Sequence, residues 1–327
     1  MVNKHSTEEI SFIIPIKIDS NDRLENINFT CKYLKKSYIN SQIILVECDI
    51  NSNLNIFANK LKIDYFFLKK ERFSKSLAVN LGLINSNKNF ICIWDADMIA
   101  SPDAIIQGLN ILKKNQINLI VPHNQIFVNI KNNLRERFLL DCQSLITELH
   151  SISKYNYRIS NENMDIYTCH GGFILTRKDT LKSIGGFNFL MTSYGWEDSE
   201  ILLRYKKLGL NYCFIKEFST IHLHHYRGED SKINEFYNLN FLEYKNVESM
   251  NYLNLYKYST SFLRSNYDKN YKNDLIKLNL SLRIFKLFIF YRYLLNYHLN
   301  VFGIIHFSKY FFKRLFLFTN FLIKFLI

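Results

Sequence analysis

The sequence predicts an α/β fold in which a mainly parallel sheet is flanked by helices and followed by a C-terminal helical extension. Apolar runs of strand length alternate with segments whose apolar residues recur at helical spacing. The run Phe90–Trp94 is apolar at every position, which is typical of a parallel strand buried on both faces. The extension is indicated by the chain from about Tyr237 onward, which is helical in pattern, aromatic and basic.

The predicted elements follow one another in a β-α-β-α order, which indicates parallel strands joined by right-handed crossovers. Strands are predicted at Ser11–Ile16, Ile43–Glu47, Asp64–Leu68, Phe90–Trp94, Leu119–Pro122, within Thr168–Thr176 and at Tyr212–Ile215. Helices are predicted at Leu24–Leu34, Ser74–Ile84, Leu134–Ile152 and Ile201–Leu208. Neither a P-loop nor a GxGxxG motif follows the first strand, which argues against ATPases and dinucleotide-binding enzymes.

The composition predicts a folded, cytosolic protein with an acidic partner. With 327 residues, 16% aromatic residues and only 10 Gly and 3 Pro, the chain can bury a large core. The six cysteines lack CxxC spacing, so neither a zinc site nor a disulfide framework is expected. A signal peptide and a conventional membrane span are also not expected. The net charge of +13 favours the phosphates of a nucleotide, nucleic acid or an anionic membrane as partner.

Two carboxylates, Asp95 and Asp97, directly follow the strand Phe90–Trp94. Residues i and i+2 of an extended chain point the same way, and open α/β sheets bind ligands beyond the carboxyl ends of their strands. Burying both carboxylates is costly unless a cation neutralises them, and hard oxygen ligands beside phosphates suit Mg²⁺ or Mn²⁺. The alternative is a strand end whose acidic residues cap the next helix, because Ser101–Asp103 looks like a helix start.

Two further motifs offer candidate binding and catalytic residues. Gly171 and Gly172 enter a predicted strand, which indicates either a tight turn or the close approach of a ligand. Glu197 and Asp198 follow Trp196 at the predicted start of a helix. These acids either complement the helix dipole or provide a catalytic base beside a Trp that stacks on a sugar.

Near the end of this region, His222 and His224 would share one face of an extended segment. A single histidine in such a place is more often structural. An i, i+2 pair in a chain that already carries Asp-x-Asp is a candidate source of a third metal ligand.

Together these motifs resemble the family-2 glycosyltransferases of the Rossmann-like GT-A fold. The similarity is closest to bacterial polysaccharide-type members whose C-terminal catalytic half looks like that of the β-1,4-galactosyltransferases. Four blocks within roughly residues 10–230 carry the resemblance: Phe12–Lys17 with Arg23, Phe73–Gly82, Trp94–Met98, and Gly185–Phe187 with Gly195–Glu200.

The resemblance implies a nucleotide-sugar donor, most often a UDP sugar, and a divalent metal ion, typically Mn²⁺ with Mg²⁺ as the alternative. By position, Pro15 and Glu47 would line the nucleoside pocket, where Glu47 replaces the usual Asp. Lys75 and Asn80 match the segment that packs beside the nucleotide. Asp95 would lie near the ribose and the metal.

The resemblance also implies the remaining site residues. Asp97, with Asp95, would bind the metal, and His222 or His224 would supply the later histidine ligand. His222 is preferred because it comes directly off the predicted strand. Asp198 matches the position of the catalytic base, with Glu197 beside it. The residues predicted to shape the acceptor site are Trp196, Gly171 and Gly172.

Two domains are predicted: a GT-A catalytic domain over residues 1–235 and a basic, aromatic helical extension over residues 236–327. In the extension, Lys and Arg interrupt the apolar residues too often for a membrane span. The pattern favours helices that lie on an anionic leaflet, so the protein is predicted to be cytoplasmic and peripheral on the inner face of the bacterial cytoplasmic membrane. A helical subdomain packed on the catalytic domain and a dimer interface are the alternatives.

The predicted function is metal-dependent sugar transfer, with inversion, to a hydroxyl of a glycan or lipid-linked acceptor in surface polysaccharide synthesis. A nucleic-acid-binding protein would account for the charge and the aromatic residues but not for the two carboxylate pairs, so no nucleic acid partner is predicted. A sugar-nucleotidyltransferase could share the sheet and the metal-binding acids. It would need a glycine-rich phosphate loop after the first strand, where this chain has none.

Overall fold

The computed structural model describes residues 5–6, 8–114, 116–155, 160–231 and 233–264. The strands are β1 (His5–Ser6), β2 (Ile10–Ile16), β3 (Tyr38–Ile39), β4 (Gln42–Asp49), β5 (Asp64–Lys69), β6 (Phe90–Trp94), β7 (Met98–Ile99), β8 (Leu119–Val121), β9 (Ile126–Ile130), β10 (Met164–Thr168), β11 (Phe173–Arg177), β12 (Tyr212–Phe214) and β13 (Thr220–Leu223). The helices are α1 (Asn21–Ser37), α2 (Asn55–Leu61), α3 (Lys75–Asn85), α4 (Pro102–Lys113), α5 (Asn132–Leu140), α6 (Cys142–Tyr155), α7 (Lys178–Ser183), α8 (Glu197–Lys207), α9 (Glu235–Ser249) and α10 (Tyr252–Arg264).

The larger sheet has seven strands in the order β12-β8-β11-β6-β2-β4-β5. Strands β6, β2, β4 and β5 are parallel, as are β12 and β8, whereas β11 is antiparallel to both of its neighbours. Apolar residues of α1 and α4 pack on one face and those of α3 and α8 on the other. Because both faces are covered, the central strand β6 is apolar throughout and its neighbours are largely apolar. The prediction of a mainly parallel sheet flanked by helices is confirmed.

A second sheet, with four strands in the order β10-β9-β13-β7, was not predicted. Its strands are short, and β7 has only 2 residues, so the sequence carries little periodic signal for it. His222 of β13 lies opposite Met98 of β7 in an antiparallel pair and opposite Asn129 of β9 in a parallel pair. This register brings the segment after Asp-x-Asp beside the histidine segment.

The helices differ from the prediction between residues 134 and 152. The single helix predicted there is two helices, α5 and α6, because the chain leaves the helical conformation at Asp141 (φ −140°, ψ 78°). The segment Met164–Thr168, for which no strand was predicted before Thr168, forms strand β10.

Helices α9 and α10 pack on the face of the larger sheet that α3 and α8 cover. Val247 of α9 and Leu255 of α10 belong to the apolar core on the α3 and α8 face of the sheet. A Cβ on Gly185 (φ +87°) would lie 1.8 Å from the carbonyl oxygen of Ser259, so this glycine allows α10 to approach closely. The predicted domain boundary after residue 235 therefore falls within one compact unit.

Most of the predicted extension, residues 265–327, lies outside the described residues. Within the described ranges, no helix combines the length and the apolar character needed to cross a membrane.

Candidate active site

Three buried side chains form a group that could hold a cation. Asp97 precedes β7, His222 lies in β13, and His225 follows the end of that strand. Their ligand atoms all lie within 4.8 Å of one another, and Nε2 of His225 is 2.9 Å from Oδ2 of Asp97. Arg23 donates to the same carboxylate oxygen at 3.2 Å. A mixed carboxylate and imidazole set suits a divalent transition-metal ion better than Mg²⁺, which prefers oxygen ligands.

The two imidazoles are oriented by their other ring nitrogens. Nδ1 of His222 lies 2.7 Å from Oδ1 of Asn129, and Nδ1 of His225 lies 2.6 Å from the carbonyl oxygen of Tyr226. Because both partners are acceptors, each Nδ1 carries the proton that it donates. In the neutral ring, Nε2 of His225 faces the carboxylate of Asp97 with its lone pair, and a bound cation would remove the repulsion between these two acceptors. In the protonated ring, Nε2–H donates to that carboxylate instead. The residues present therefore fit a bound metal ion.

The pKa values of this group also fit metal binding. Burial lowers the pKa of His222 to about 3, and the neutral ring is the form that binds a metal. Burial by itself would raise the pKa of Asp97. The hydrogen bond with His225 and the charges around the carboxylate outweigh burial and hold the pKa of Asp97 well below its usual range.

A second group of charges surrounds Lys75, the first residue of α3. Nζ of Lys75 lies 2.8 Å from Oδ1 of Asp95 and 3.0 Å from each carboxylate oxygen of Asp198. Burial would lower the pKa of Lys75, but Asp198 and Asp95 hold it well above its usual range. Burial raises the pKa of Asp95 to about 6, although Lys75 opposes this shift. The ammonium is therefore charged and shared between two carboxyl groups.

Asp198 is positioned by the start of α8 and by the glycine pair. Trp196 (φ +75°) turns the chain into α8, whose second residue is Asp198. A Cβ on Gly171 would lie 2.1 Å from Oδ2 of Asp198, so only glycine lets the backbone pass this close. Nε2–H of His123 donates to the carbonyl oxygen of Gly171 at 3.0 Å. Burial, reinforced by Asp198, raises the pKa of Glu197 to about 7.

Both groups line one cleft, with a volume of about 900 Å³ that includes open solvent. It lies where β2 and β6 end, which is where open α/β sheets bind ligands. The predicted site residues that line it are Pro15, Lys75, Asp95, Asp97, Gly171, Gly172, Glu197, Asp198 and His222.

Glu47 and Asn80 were predicted to contact the nucleotide, but they do not line this cleft. The carboxylate of Glu47 accepts hydrogen bonds from the N–H groups of Asn53 and Leu54, at 3.0 and 3.1 Å, and closes the loop after β4. Asn80 is buried. Its Nδ2 donates to the carbonyl oxygen of Phe187 at 2.9 Å, and its Oδ1 accepts from the N–H of the same residue at 2.7 Å. Both side chains stabilise the scaffold around the cleft.

Trp196, predicted to shape the acceptor site, faces α9. Its ring lies 4.8–5.8 Å from the rings of three aromatic residues of that helix, measured between centroids. No motif in the sequence indicated that α9 would cover this side chain. These residues are Tyr237, Phe241 and Tyr244.

His224 does not join the metal-binding group, and its neighbour His225 does. Strand β13 ends at Leu223, so the i, i+2 alternation that paired His222 with His224 no longer applies. The backbone N–H of His224 donates to Ile130, and its side chain is exposed. The preferred histidine, His222, lies in the group, and the alternative His224 is corrected to His225.

Other residues that line the cleft were not singled out as site residues from the sequence. His225 was signalled only by its place in a His-rich segment, and Arg23 only by its place in a block that carries the family resemblance. The others belong to no motif. Besides His225, the residues that were not singled out include Arg23, Tyr167, Tyr194, Arg227 and Asp230.

Comparison with protein families identifies the chain. A family model described as glycosyl transferase family 2 matches residues 11–185, more than half of the chain. The chain belongs to glycosyltransferase family 2. A second model, described as the N-terminal domain of galactosyltransferase, matches residues 150–228 of this glycosyltransferase, including Gly171, Asp198 and His225. The protein is thus a glycosyltransferase enzyme, and its sheet is that of the predicted GT-A fold. No curated protein sequence matches this glycosyltransferase.

Solved structures are similar to this glycosyltransferase at low sequence identity. Glucosyl-3-phosphoglycerate synthase from Mycobacterium tuberculosis, in complex with Mn²⁺, UDP-glucose and phosphoglyceric acid, is 15% identical with a TM-score of 0.42, covering 68% of this chain and 73% of that one. A Drosophila β-1,4-galactosyltransferase 7 in complex with manganese, UDP-Gal and xylobiose is 13% identical with a TM-score of 0.42, covering 74% of this chain and 79% of that one.

Proposed function

We propose that this glycosyltransferase moves a sugar, with inversion, from a UDP-sugar donor to an acceptor hydroxyl and uses Mn²⁺. One observation carries the proposal. A single cleft holds the Asp97, His222 and His225 group together with Asp198, a carboxylate at the start of α8. The first group provides carboxylate and imidazole ligands for a cation, and the second provides a base for a hydroxyl.

In an inverting transfer, the acceptor oxygen bonds to the anomeric carbon while the bond from that carbon to the diphosphate oxygen breaks. The hydroxyl proton must pass to a base, and Asp198 presents its carboxylate to the cleft for this step. A divalent ion held by Asp97, His222 and His225 would supply positive charge to the departing diphosphate. The guanidinium of Arg227 lines the same cleft and contributes further positive charge.

The donor and acceptor roles are separable by substitution. In Asp198→Asn, transfer should fall by at least about 100-fold, because the amide cannot accept the proton, while UDP-sugar binding in the presence of Mn²⁺ persists. In Asp97→Asn, Mn²⁺-dependent donor binding should weaken. Calorimetric titration of both variants with a panel of UDP sugars, together with UDP release, measures the two effects.

His224→Gln is the matched control, since this exposed side chain lies outside the metal-binding group. Equal loss of donor binding in Asp198→Asn and Asp97→Asn would contradict the separate roles. An unchanged rate of sugar transfer in Asp198→Asn would exclude Asp198 as the base.

We propose further that the acceptor is a glycan or a lipid-linked sugar of surface polysaccharide synthesis, reached from the inner face of the cytoplasmic membrane. Helix α10 supports a membrane contact because Tyr252, Leu253 and Tyr256 are 59%, 57% and 45% exposed. Aromatic and apolar side chains on an exposed helix face suit the headgroup region of a bilayer. The basic, aromatic sequence that follows α10 suits an anionic leaflet.

Flotation with vesicles tests this contact. The wild-type protein should float with phosphatidylglycerol vesicles and less with phosphatidylcholine vesicles. Replacement of Tyr252, Leu253 and Tyr256 by Ser should reduce flotation, whereas Ile56→Ser, at an exposed position on α2, should not. Equal flotation of the triple variant and the wild type would contradict a membrane contact through α10.

A further inference from the structure

Lys75 contacts acidic side chains of the cleft from a buried position. Nζ of Lys75 donates to both oxygens of Asp198 at 3.0 Å and lies 2.8 Å from Oδ1 of Asp95. The lysine side chain is only 7% exposed, whereas those of Asp95 and Asp198 are 29% and 20% exposed. Water therefore screens these contacts much less than it screens a surface ion pair.

The carboxylate of Asp198 is confined on another side by the backbone. There is no room for a Cβ on Gly171, which would lie 2.1 Å from Oδ2 of Asp198. Gly171 is held by the hydrogen bond from His123, whose Nδ1 accepts from the N–H of Gln125. Asp198 thus lies in a slot between the ammonium of Lys75 and a fixed peptide.

We propose that Lys75 is a positioning residue of the transfer reaction, which orients Asp198 and uses Asp95 as a second anchor. This inference rests on the proposed function, in which Asp198 is the base. It differs from the nucleotide contact that the family resemblance implied for Lys75.

The second carboxylate explains how a buried ammonium can tolerate the reaction. Before transfer, Lys75 faces the ionised Asp198 and Asp95. When Asp198 has accepted the proton of the acceptor hydroxyl, it becomes neutral, and Asp95 remains as the counter-ion of Lys75. The buried charge of Lys75 therefore always has a partner. A buried charge without a partner would destabilise the protein strongly.

Two substitutions separate charge from hydrogen bonding. Lys75→Gln keeps an N–H donor but removes the charge, and Lys75→Arg keeps the charge. With Mn²⁺, UDP sugar and acceptor, kcat of Lys75→Gln should fall by about 100-fold or more while KM for the donor changes little. The kcat of Lys75→Arg should be at least about tenfold higher than that of Lys75→Gln. A raised donor KM with an unchanged kcat in Lys75→Gln would make Lys75 a donor-binding residue and overturn the inference.

The pH profile of kcat/KM for the acceptor gives a readout that a merely structural role would not move. Loss of the positive charge should shift the acidic limb to higher pH in Lys75→Gln, and Lys75→Arg should retain the wild-type limb. Lys69→Met, which removes an exposed charge at the end of β5, should leave both activity and limb unchanged. The titratable groups that face Asp198 from the surrounding elements are Lys75, Asp95, Glu197, His123 and Cys169.

A measurement without substrates keeps the inference separate from the proposed function. Crystal structures of the substrate-free wild type, Lys75→Gln and Lys75→Arg should show the Asp198 carboxylate displaced in Lys75→Gln alone. An unchanged position of Asp198 in Lys75→Gln would overturn the inference. If the wild type transferred no sugar, the proposed function would fail, and these structures would still decide whether Lys75 positions Asp198.

Discussion

At the scale of single residues, the metal-binding group depends on how each imidazole is held. His222 is supported by Asn129 and His225 by the carbonyl oxygen of Tyr226, at 2.7 and 2.6 Å. These hydrogen bonds fix the tautomer, so each Nε2 faces Asp97. The geometry of the site therefore rests on a supporting layer of hydrogen bonds as well as on the ligand atoms.

The choice between adjacent histidines leads to a direct test. Loss of a supporting hydrogen bond typically weakens metal binding about 10- to 100-fold, and loss of a ligand weakens it further. His225→Gln should therefore reduce Mn²⁺ affinity by more than about 100-fold in a competition assay with a fluorescent chelator. His224→Gln should bind Mn²⁺ like the wild type. The reverse order would assign the metal to His224.

Gly171 offers a second prediction at this scale. In Gly171→Ala, the new Cβ must displace either Asp198 or the glycine backbone, because the available distance to Oδ2 is 2.1 Å. Misplacement of a catalytic group by about 1 Å can reduce the rate about 100-fold, so kcat should fall by about that factor. Gly108→Ala, in α4 away from the cleft, controls for the substitution itself, because its added Cβ would lie no closer than 3.1 Å to any neighbour. Equal loss in both variants would argue against a steric effect on Asp198.

At the scale of elements, the short strands of the second sheet assemble the metal-binding group. The pairing of β13 with β7 places His222 opposite Met98, one residue after Asp97. The N–H of Leu223 donates to the carbonyl oxygen of Asp97 at 2.8 Å. Two segments more than 100 residues apart in the chain are thereby fixed to each other by backbone hydrogen bonds.

Helix α8, which carries Asp198, is anchored by a buried ion pair. Nε and Nη2 of Arg204 donate to the two carboxylate oxygens of Glu200 at 2.9 and 3.0 Å, and Nη1 donates to the carbonyl oxygen of Ile184 at 2.7 Å. Both charged side chains are at most 1% exposed. The pair therefore ties α8 to the end of α7, and each charge depends on the other.

Removal of one member of the Arg204–Glu200 ion pair should lower the stability of the protein. Arg204→Met leaves the carboxylate of Glu200 buried without its counter-ion, so the free energy of unfolding should fall by about 3–5 kcal/mol in urea titrations. The double variant Arg204→Met with Glu200→Leu should recover part of this loss, because no unpaired charge remains. Lys206→Met, on the exposed side of the same helix, should change stability by less than about 0.5 kcal/mol. An additive loss in the double variant would contradict the ion-pair explanation.

At the scale of the whole molecule, buried histidines make stability depend on pH. Burial lowers the pKa of His123 from 6.5 to about 4. Between these two values the unfolded chain binds a proton that the folded protein excludes, so stability falls as the pH falls from 6.5 to 4. Above pH 6.5 both states are neutral at this residue, and it contributes no pH dependence there.

Urea unfolding at several pH values measures this contribution. His123 should account for a loss of up to about 3 kcal/mol between pH 6.5 and pH 4. The slope of stability against pH should be smaller in His123→Gln, even if its stability at pH 7 is lower. His170→Gln, at an exposed histidine nearby, should keep the wild-type slope. An unchanged slope in His123→Gln would show that protonation of His123 does not control acid unfolding.

The alternation of strands and helices was predictable because periodic apolar residues report which face of an element is buried. Asp95 and Asp97 could be placed at the ligand-binding edge because they follow a strand with no polar residue. Glu47 lies near the carboxyl end of β4, yet its carboxylate accepts hydrogen bonds from the backbone N–H groups of Asn53 and Leu54. A side chain at a strand end can serve a ligand or a neighbouring loop, and the residue type does not distinguish them.

Local pattern and motif order alone determined the mainly parallel sheet, the family resemblance, and the candidacy of Asp97, Asp198 and His222. Tertiary structure decided that His225 joins the group instead of His224, that Trp196 packs on α9, and that Lys75 bridges Asp95 and Asp198. The physical reason is the separation along the chain between the residues that interact. Periodicity and motif spacing describe neighbours along the chain, whereas these three outcomes depend on where a strand ends and on which distant element packs against it.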